Sequence, residues 1–166
     1  YTVDDCFIYF NAEYLSELDR KIKNLSASGC KVYMRLLISA DADVSVLPYA
    51  ENEGAGGETQ LLAVNITDKN AEKHFLGVID FLAGRYSTSP NGKIHGMILG
   101  RSLDRPNEYN YSETSGIVSY SVMTARAFEI MARAASASIP DIEVVFPISD
   151  KTDDAIGYDT ELFLTS

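Results

Sequence analysis

Residues 74–100 read HFLGVIDFLAGRYSTSPNGKIHGMILG and set a helix, a short return and a strand in direct succession. The helix is predicted over 68–86, where Ala71, Phe75, Val78, Ile79 and Leu82 recur at the spacing of one apolar helical face. Residues 94–100 (IHGMILG) form a nearly unbroken apolar run of strand length, the pattern of a strand covered on both sides.

The same unit repeats outward. Toward the amino end, 6–10 (CFIYF) reads as a strand, and Asn11 is a good N-cap. Leu15, Leu18, Ile22 and Leu25 then recur at helical spacing, Gly29 stands in the stop position glycine favours, and 31–39 (KVYMRLLIS) is the next strand. Toward the carboxyl end, a helix over 116–138 carries Val122, Ala125, Phe128, Met131, Ala132 and Ala135 toward a core. The run 142–148 (IEVVFPI) is a fourth strand, interrupted by Pro147. Alternation of this kind predicts the α/β class, a parallel sheet of βα units in one domain over 1–166. Residues 159–164 (DTELFL) read as a capped helix start, so the chain is expected to be a fragment of a longer polypeptide.

The long segments leave strands and the short ones lead back to them. Residues 40–70 follow one strand and 101–115 another, whereas the returns 29–30, 87–93 and 139–141 are brief. Loops beyond roughly 12–15 residues are uncommon unless functional or disordered, and parallel α/β folds build their sites at the carboxyl ends of strands. The working face is therefore the one that 101–111 (RSLDRPNEYNY) leaves. Its carboxylates Asp104 and Glu108 are the candidate catalytic acids. Arg101, Asn107, Tyr109 and Tyr111 are the candidate substrate contacts, since amides and charged groups bond hydroxyls while tyrosines stack on sugar rings.

Composition narrows the field. A net charge of -10, from 24 acidic and 14 basic residues, repels phosphate backbones and excludes nucleic acid as an expected partner. No apolar run approaches the roughly 18 residues of a membrane span. Cys6 and Cys30 each begin a predicted strand; two buried thiols are expected, although a disulfide between them is geometrically conceivable. No Cys/His spacing suggests zinc, and no cofactor is implied. His74 and His95 lack the Ser or Cys context of a nucleophilic triad. Arg35, in the middle of a strand, calls for a structural partner in preference to a ligand contact, the alternative.

Three stretches carry a family resemblance: YLSELDRKIKNLSASGCKVYMRLLIS (14–39), HFLGVIDFLAGRYS (74–87) and IHGMILG (94–100). They resemble successive units of bacterial glycoside-hydrolase-like (β/α)8 barrels of the clan A type. The resemblance implies a partial TIM-barrel-like fold, carbohydrate as substrate or ligand, and an extracytoplasmic location. In such barrels an Asn-Glu pair at the end of the fourth strand supplies the general acid/base. Here Arg101-Ser102 stands there, so that motif is degenerate, and Asn107-Glu108 is the nearest substitute. Retaining hydrolysis needs two carboxyls about 5–5.5 Å apart, and the chain offers no assured pair. The expectation is thus a barrel segment that acts on or binds carbohydrate, catalytically inactive if Glu108 does not serve. The alternative is a non-catalytic α/β domain that binds a glycan or a protein. Unpaired sheet edges would favour self-association.

Overall fold

The computed structural model describes residues 1–3, 5–39, 61–88, 90–105 and 116–149. Its element order is β1 (Thr2–Val3), β2 (Cys6–Phe7), α1 (Ala12–Ala27), β3 (Tyr33–Leu36), β4 (Ile38–Ser39), β5 (Leu61–Leu62), α2 (Lys69–Arg85), β6 (Gly96–Leu99), α3 (Ile117–Ser138) and β7 (Glu143–Val145). The helix start expected at 159–164 lies outside the described residues.

Local chemistry sets the helix ends. Asn11 accepts from the Tyr14 amide at 2.9 Å and opens α1. Gly29, at φ +79°, closes it, with the Cys30 amide returning to Leu25 O at 3.1 Å. Asp68 caps α2 by accepting from the amides of Asn70 and Ala71 at 2.8 and 2.9 Å.

β3, β6 and β7 form a parallel sheet in that order, with rows Tyr33–Gly96–Glu143, Met34–Met97–Val144 and Arg35–Ile98–Val145. The predicted parallel pairing of the strands near Lys31, Ile94 and Ile142 is therefore present. α2 and α3 pack on one face of this sheet. Met97 and Leu99 are buried there with Phe75, Ile79, Met131 and Ala135, and Met34, Leu36 and Val144 pack against them. On the other face Tyr33, Arg35, Glu143 and Val145 are exposed.

Several expectations need correction. The run 6–10 is not a member of the parallel sheet: only Cys6–Phe7 is strand, and it pairs antiparallel with Thr2–Val3. Tyr1 binds Ile8 through both its backbone oxygen and its ammonium, and the rings of Tyr1 and Phe10 pack on Phe81 of α2. Those contacts draw the segment onto the helix layer. The strand expected over 31–39 divides at Leu37: β4 leaves the parallel sheet and pairs antiparallel with β5, inside the stretch expected to be loop. Leu25 is 47% exposed, so α1 buries Ile22 and little else. The core face of α3 is as expected at Met131 and Ala135 and differs from the expected one elsewhere. Val122 is 59% exposed and Ala125 is exposed, while Tyr120, Met123, Ala127, Ile130 and Ala134 are buried. Neither thiol is buried: both cysteines are free, Cys6 half-buried and Cys30 exposed.

Candidate functional site

The carboxyl ends of β6 and β7 are joined to one another. The chain leaves β6 through Gly100 at φ +59° and Ser102 at φ +45°, two left-handed residues flanking Arg101. For Ser102 that conformation carries a steric cost, met here by the surrounding bonds. The Leu103 amide donates to Pro147 O at 2.8 Å, and the Arg105 amide returns to Ser102 O at 2.9 Å. Asp104 is 0% exposed; its Oδ1 accepts from the Ser149 amide at 2.8 Å and its Oδ2 from the Ser149 hydroxyl. A carboxylate held by two donors of one residue ties the exit of β6 to the exit of β7. Beneath the turn lies a cavity of about 30 Å³ lined by Leu36, Leu99, Leu103, Tyr120 and Thr124 among others. It is an apolar space the size of a single water.

Of the residues expected to act, Arg101 is exposed at the turn, while Asp104 faces the protein interior. Asn107, Glu108, Tyr109 and Tyr111 lie outside the described residues. Arg35 is exposed on β3, with no structural partner among the described residues. His95 accepts the Val32 amide on Nδ1 at 3.1 Å, a structural role that joins the starts of β3 and β6.

Two arrangements are absent from the sequence reading. Cys6 Sγ stands 3.4 Å from both ring nitrogens of His74, whose Nδ1 donates to Asn70 O at 2.9 Å. A sulfur in the ring plane, equally far from both nitrogens, would collide with the carbon between them. It therefore lies over the ring, out of line with the Nε2 lone pair, and the pair is a packing contact in this conformation.

The second is a cleft of about 350 Å³ along β3, lined by Phe10, Asn11, Tyr14, Leu18, Leu82 and consecutive residues from Tyr33 through Leu36. Its position was foreshadowed only by the mid-strand charge of Arg35.

Charged pairs also form away from these places. Asp19 of α1 accepts from Arg85 Nε and Nη2 at 2.8 and 2.5 Å and from the Tyr86 hydroxyl at 2.8 Å. The Arg85 hydrogen bonds hold the Asp19 carboxyl below its usual range. Burial, then Asp19, pushes the Tyr86 phenol up to about 12. At the amino ends of the strands, Tyr33 crosses above Gly96 and donates to Glu143 at 2.5 Å, while Lys31 meets the same carboxylate at 3.2 Å. Those two bonds, Tyr33 first, lower the Glu143 pKa.

Residues 1–153 match the family described as "Family of unknown function (DUF5722)". The chain belongs to that family. No curated protein and no solved structure matches it. Among the described residues no helix is long and apolar enough to cross a membrane, and no group of three or more His, Cys, Asp or Glu side chains is placed to hold a metal ion.

Proposed function

We propose that this chain forms part of the wall of a TIM-barrel-like protein and engages carbohydrate through the loops leaving the carboxyl ends of its strands. The observation that carries the barrel reading is the pairing of strand order with helix placement. β3, β6 and β7 follow one another in chain order, and the connecting helices α2 and α3 pack together on one face. A doubly wound sheet reverses its strand order and places helices on both faces, whereas a barrel wall progresses in one direction with helices outside.

The carbohydrate reading rests on the chemistry of 101–111 and the family resemblance of the strands before it. The roots of that loop are anchored by Asp104–Ser149 and Leu103–Pro147, and a rigid frame beneath a polar loop is how binding residues are held. Asp104 serves as anchor in this reading, which leaves Glu108 as the acid of the loop. With Arg101-Ser102 at the strand end, binding without turnover is the expected behaviour.

The test is a panel of aryl glycosides and oligosaccharides, read for turnover and, by calorimetry, for binding. Binding weakened by Tyr109→Ala or Tyr111→Ala, with no hydrolysis above buffer, is the expected result. If hydrolysis occurs, Glu108→Gln must abolish it. Neither binding nor turnover across the panel refutes carbohydrate as the ligand.

A further inference from the structure

The cleft beside β3 is lined by Tyr33, Met34, Arg35 and Leu36, four residues in a row. Successive strand residues point to opposite faces of a sheet, so a cleft touching all of them runs along the strand's edge. Among the described residues β3 pairs with β6 alone. In a strand paired on one side, alternate backbone N–H and C=O groups are directed away from the partner, toward that edge. The floor of the cleft is thus a row of main-chain donors and acceptors.

Its walls are of two kinds. On the helix side stand Met34, Leu36, Leu18 and Leu82; on the open side stand Tyr33, Arg35 and, at the rim, Tyr14. Among the described residues, Arg35 is the only charged side chain lining the cleft. That is notable in a chain with 24 acidic and 14 basic residues. The neighbouring Lys31 is already engaged by Glu143, to which Tyr33 also donates.

We propose that the β3 edge is a docking site for an extended peptide segment with the alternation apolar, acidic, apolar. Such a segment would add a strand to β3, its apolar side chains entering the Met34 and Leu36 side and its carboxylate meeting the Arg35 guanidinium. Main-chain bonds supply affinity in this mode and alternate side chains supply selectivity. A second copy of β3 is a poorer occupant, because Tyr33–Leu36 carries no carboxylate to meet Arg35. The inference stands on the edge and its cleft as this chain presents them and does not rest on the carbohydrate reading; in a longer barrel wall a neighbouring strand would compete with the peptide for the same edge.

The experiment titrates the whole chain with fluorescently labelled acetyl-STVEVTS-amide. Three comparisons accompany it: the peptide with lysine in place of glutamate, two versions N-methylated at alternate sets of backbone nitrogens, and octanoate as competitor. The glutamate peptide is expected to bind about tenfold more tightly than the lysine peptide, the scale of one charge-assisted pair. Methylation of one alternate set, but not the other, should abolish binding, because only one set of amides faces β3. Arg35→Glu should reverse the preference and restore the lysine peptide. If that variant misfolds, the wild-type comparisons still decide. Equal binding of both peptides, indifference to either methylation, or no binding at millimolar peptide overturns the proposal. Octanoate binding in place of the peptide overturns it in favour of a small-anion cleft.

Discussion

Replacing Asp19 with Ala tests what fastens α1 to the end of α2. Asp19 is the common acceptor for two Arg85 nitrogens and the Tyr86 hydroxyl, and Tyr86 is 0% exposed. Asp19→Ala leaves that hydroxyl buried without its acceptor, at a cost of about 1–3 kcal/mol. The Arg85 pair adds less, about 0–1 kcal/mol, because its side chains are 29% and 21% exposed and water screens them. The single change should thus destabilise by about 2–3 kcal/mol. Tyr86→Phe removes the hydroxyl itself and leaves Asp19 paired with Arg85, so about 1 kcal/mol is expected. The informative variant combines the two. With no orphaned hydroxyl, Asp19→Ala/Tyr86→Phe should be no less stable than Asp19→Ala alone. Urea unfolding followed by circular dichroism at neutral pH reads all three. Losses that simply add would refute the hub, since additivity marks independent sites.

The same hub fixes a pH dependence. The folded Asp19 pKa lies below its unfolded value, so its contribution is full above an unfolded pKa of about 3.9 and is lost as pH falls through the folded value. The folded Tyr86 pKa, at about 12, lies above its unfolded value, so that contribution is full below an unfolded pKa of about 10 and is lost as pH rises toward 12. The gap between wild type and Asp19→Ala should therefore narrow as pH falls, leaving the part due to the Tyr86 hydroxyl, and a gap that widens in acid would contradict this assignment.

Gly96→Ala should cost about 1–3 kcal/mol, the range for overpacking. The added Cβ would lie 2.4 Å from the Tyr33 ring and 2.8 Å from Glu143 O, and only the ring can swing away; a Tm equal to wild type would show that Tyr33 does not cross the sheet. Ile79→Ala should lose about 2–5 kcal/mol, whereas Leu25→Ala, on an exposed stretch of α1, should stay within about 0.5 kcal/mol. Comparable losses in those two denaturant curves would mean that α1 is buried. Ser149→Ala removes the hydroxyl that donates to the buried Asp104 carboxylate and should cost about 1.5–3 kcal/mol, with faster hydrogen exchange at Leu103 as a local readout.

How far the sequence could be read depended on whether a residue's partner was near in the chain. Caps are local, and Asn11 marked its helix correctly. The parallel pairing of β3, β6 and β7 followed from short returns after helices. Residues 61–66 fall in a stretch expected to be loop, although their alternation could have marked them as extended: Leu62, Val64 and Ile66 are buried. The span of α3 and two of its core residues, Met131 and Ala135, are as expected, whereas Val122 and Ala125 are exposed. The helix bears apolar residues around most of its circumference, so periodicity did not choose cleanly among its faces. Asp104 and Ser149, 45 positions apart, met without any local signal. Cys6 and His74 are 68 positions apart, and their meeting depended on a hairpin made with Thr2–Val3 that an apolar run alone does not specify.

The two ends of the parallel sheet solve different problems. At the amino end, Tyr33, Lys31 and Glu143 strap β3 to β7 across Gly96, with short turns beneath. These bonds satisfy one another and leave little to offer a ligand. At the carboxyl end the bonds instead join loop roots, Leu103 to Pro147 and Asp104 to Ser149, while Arg101 between two left-handed residues is turned outward. Anchored roots let the rest of a loop change composition without disturbing the strands that carry it. In the proposed carbohydrate reading, a carboxylate used in that way is taken up in anchoring the loop, which is the reason Glu108 rather than Asp104 is proposed as its acid.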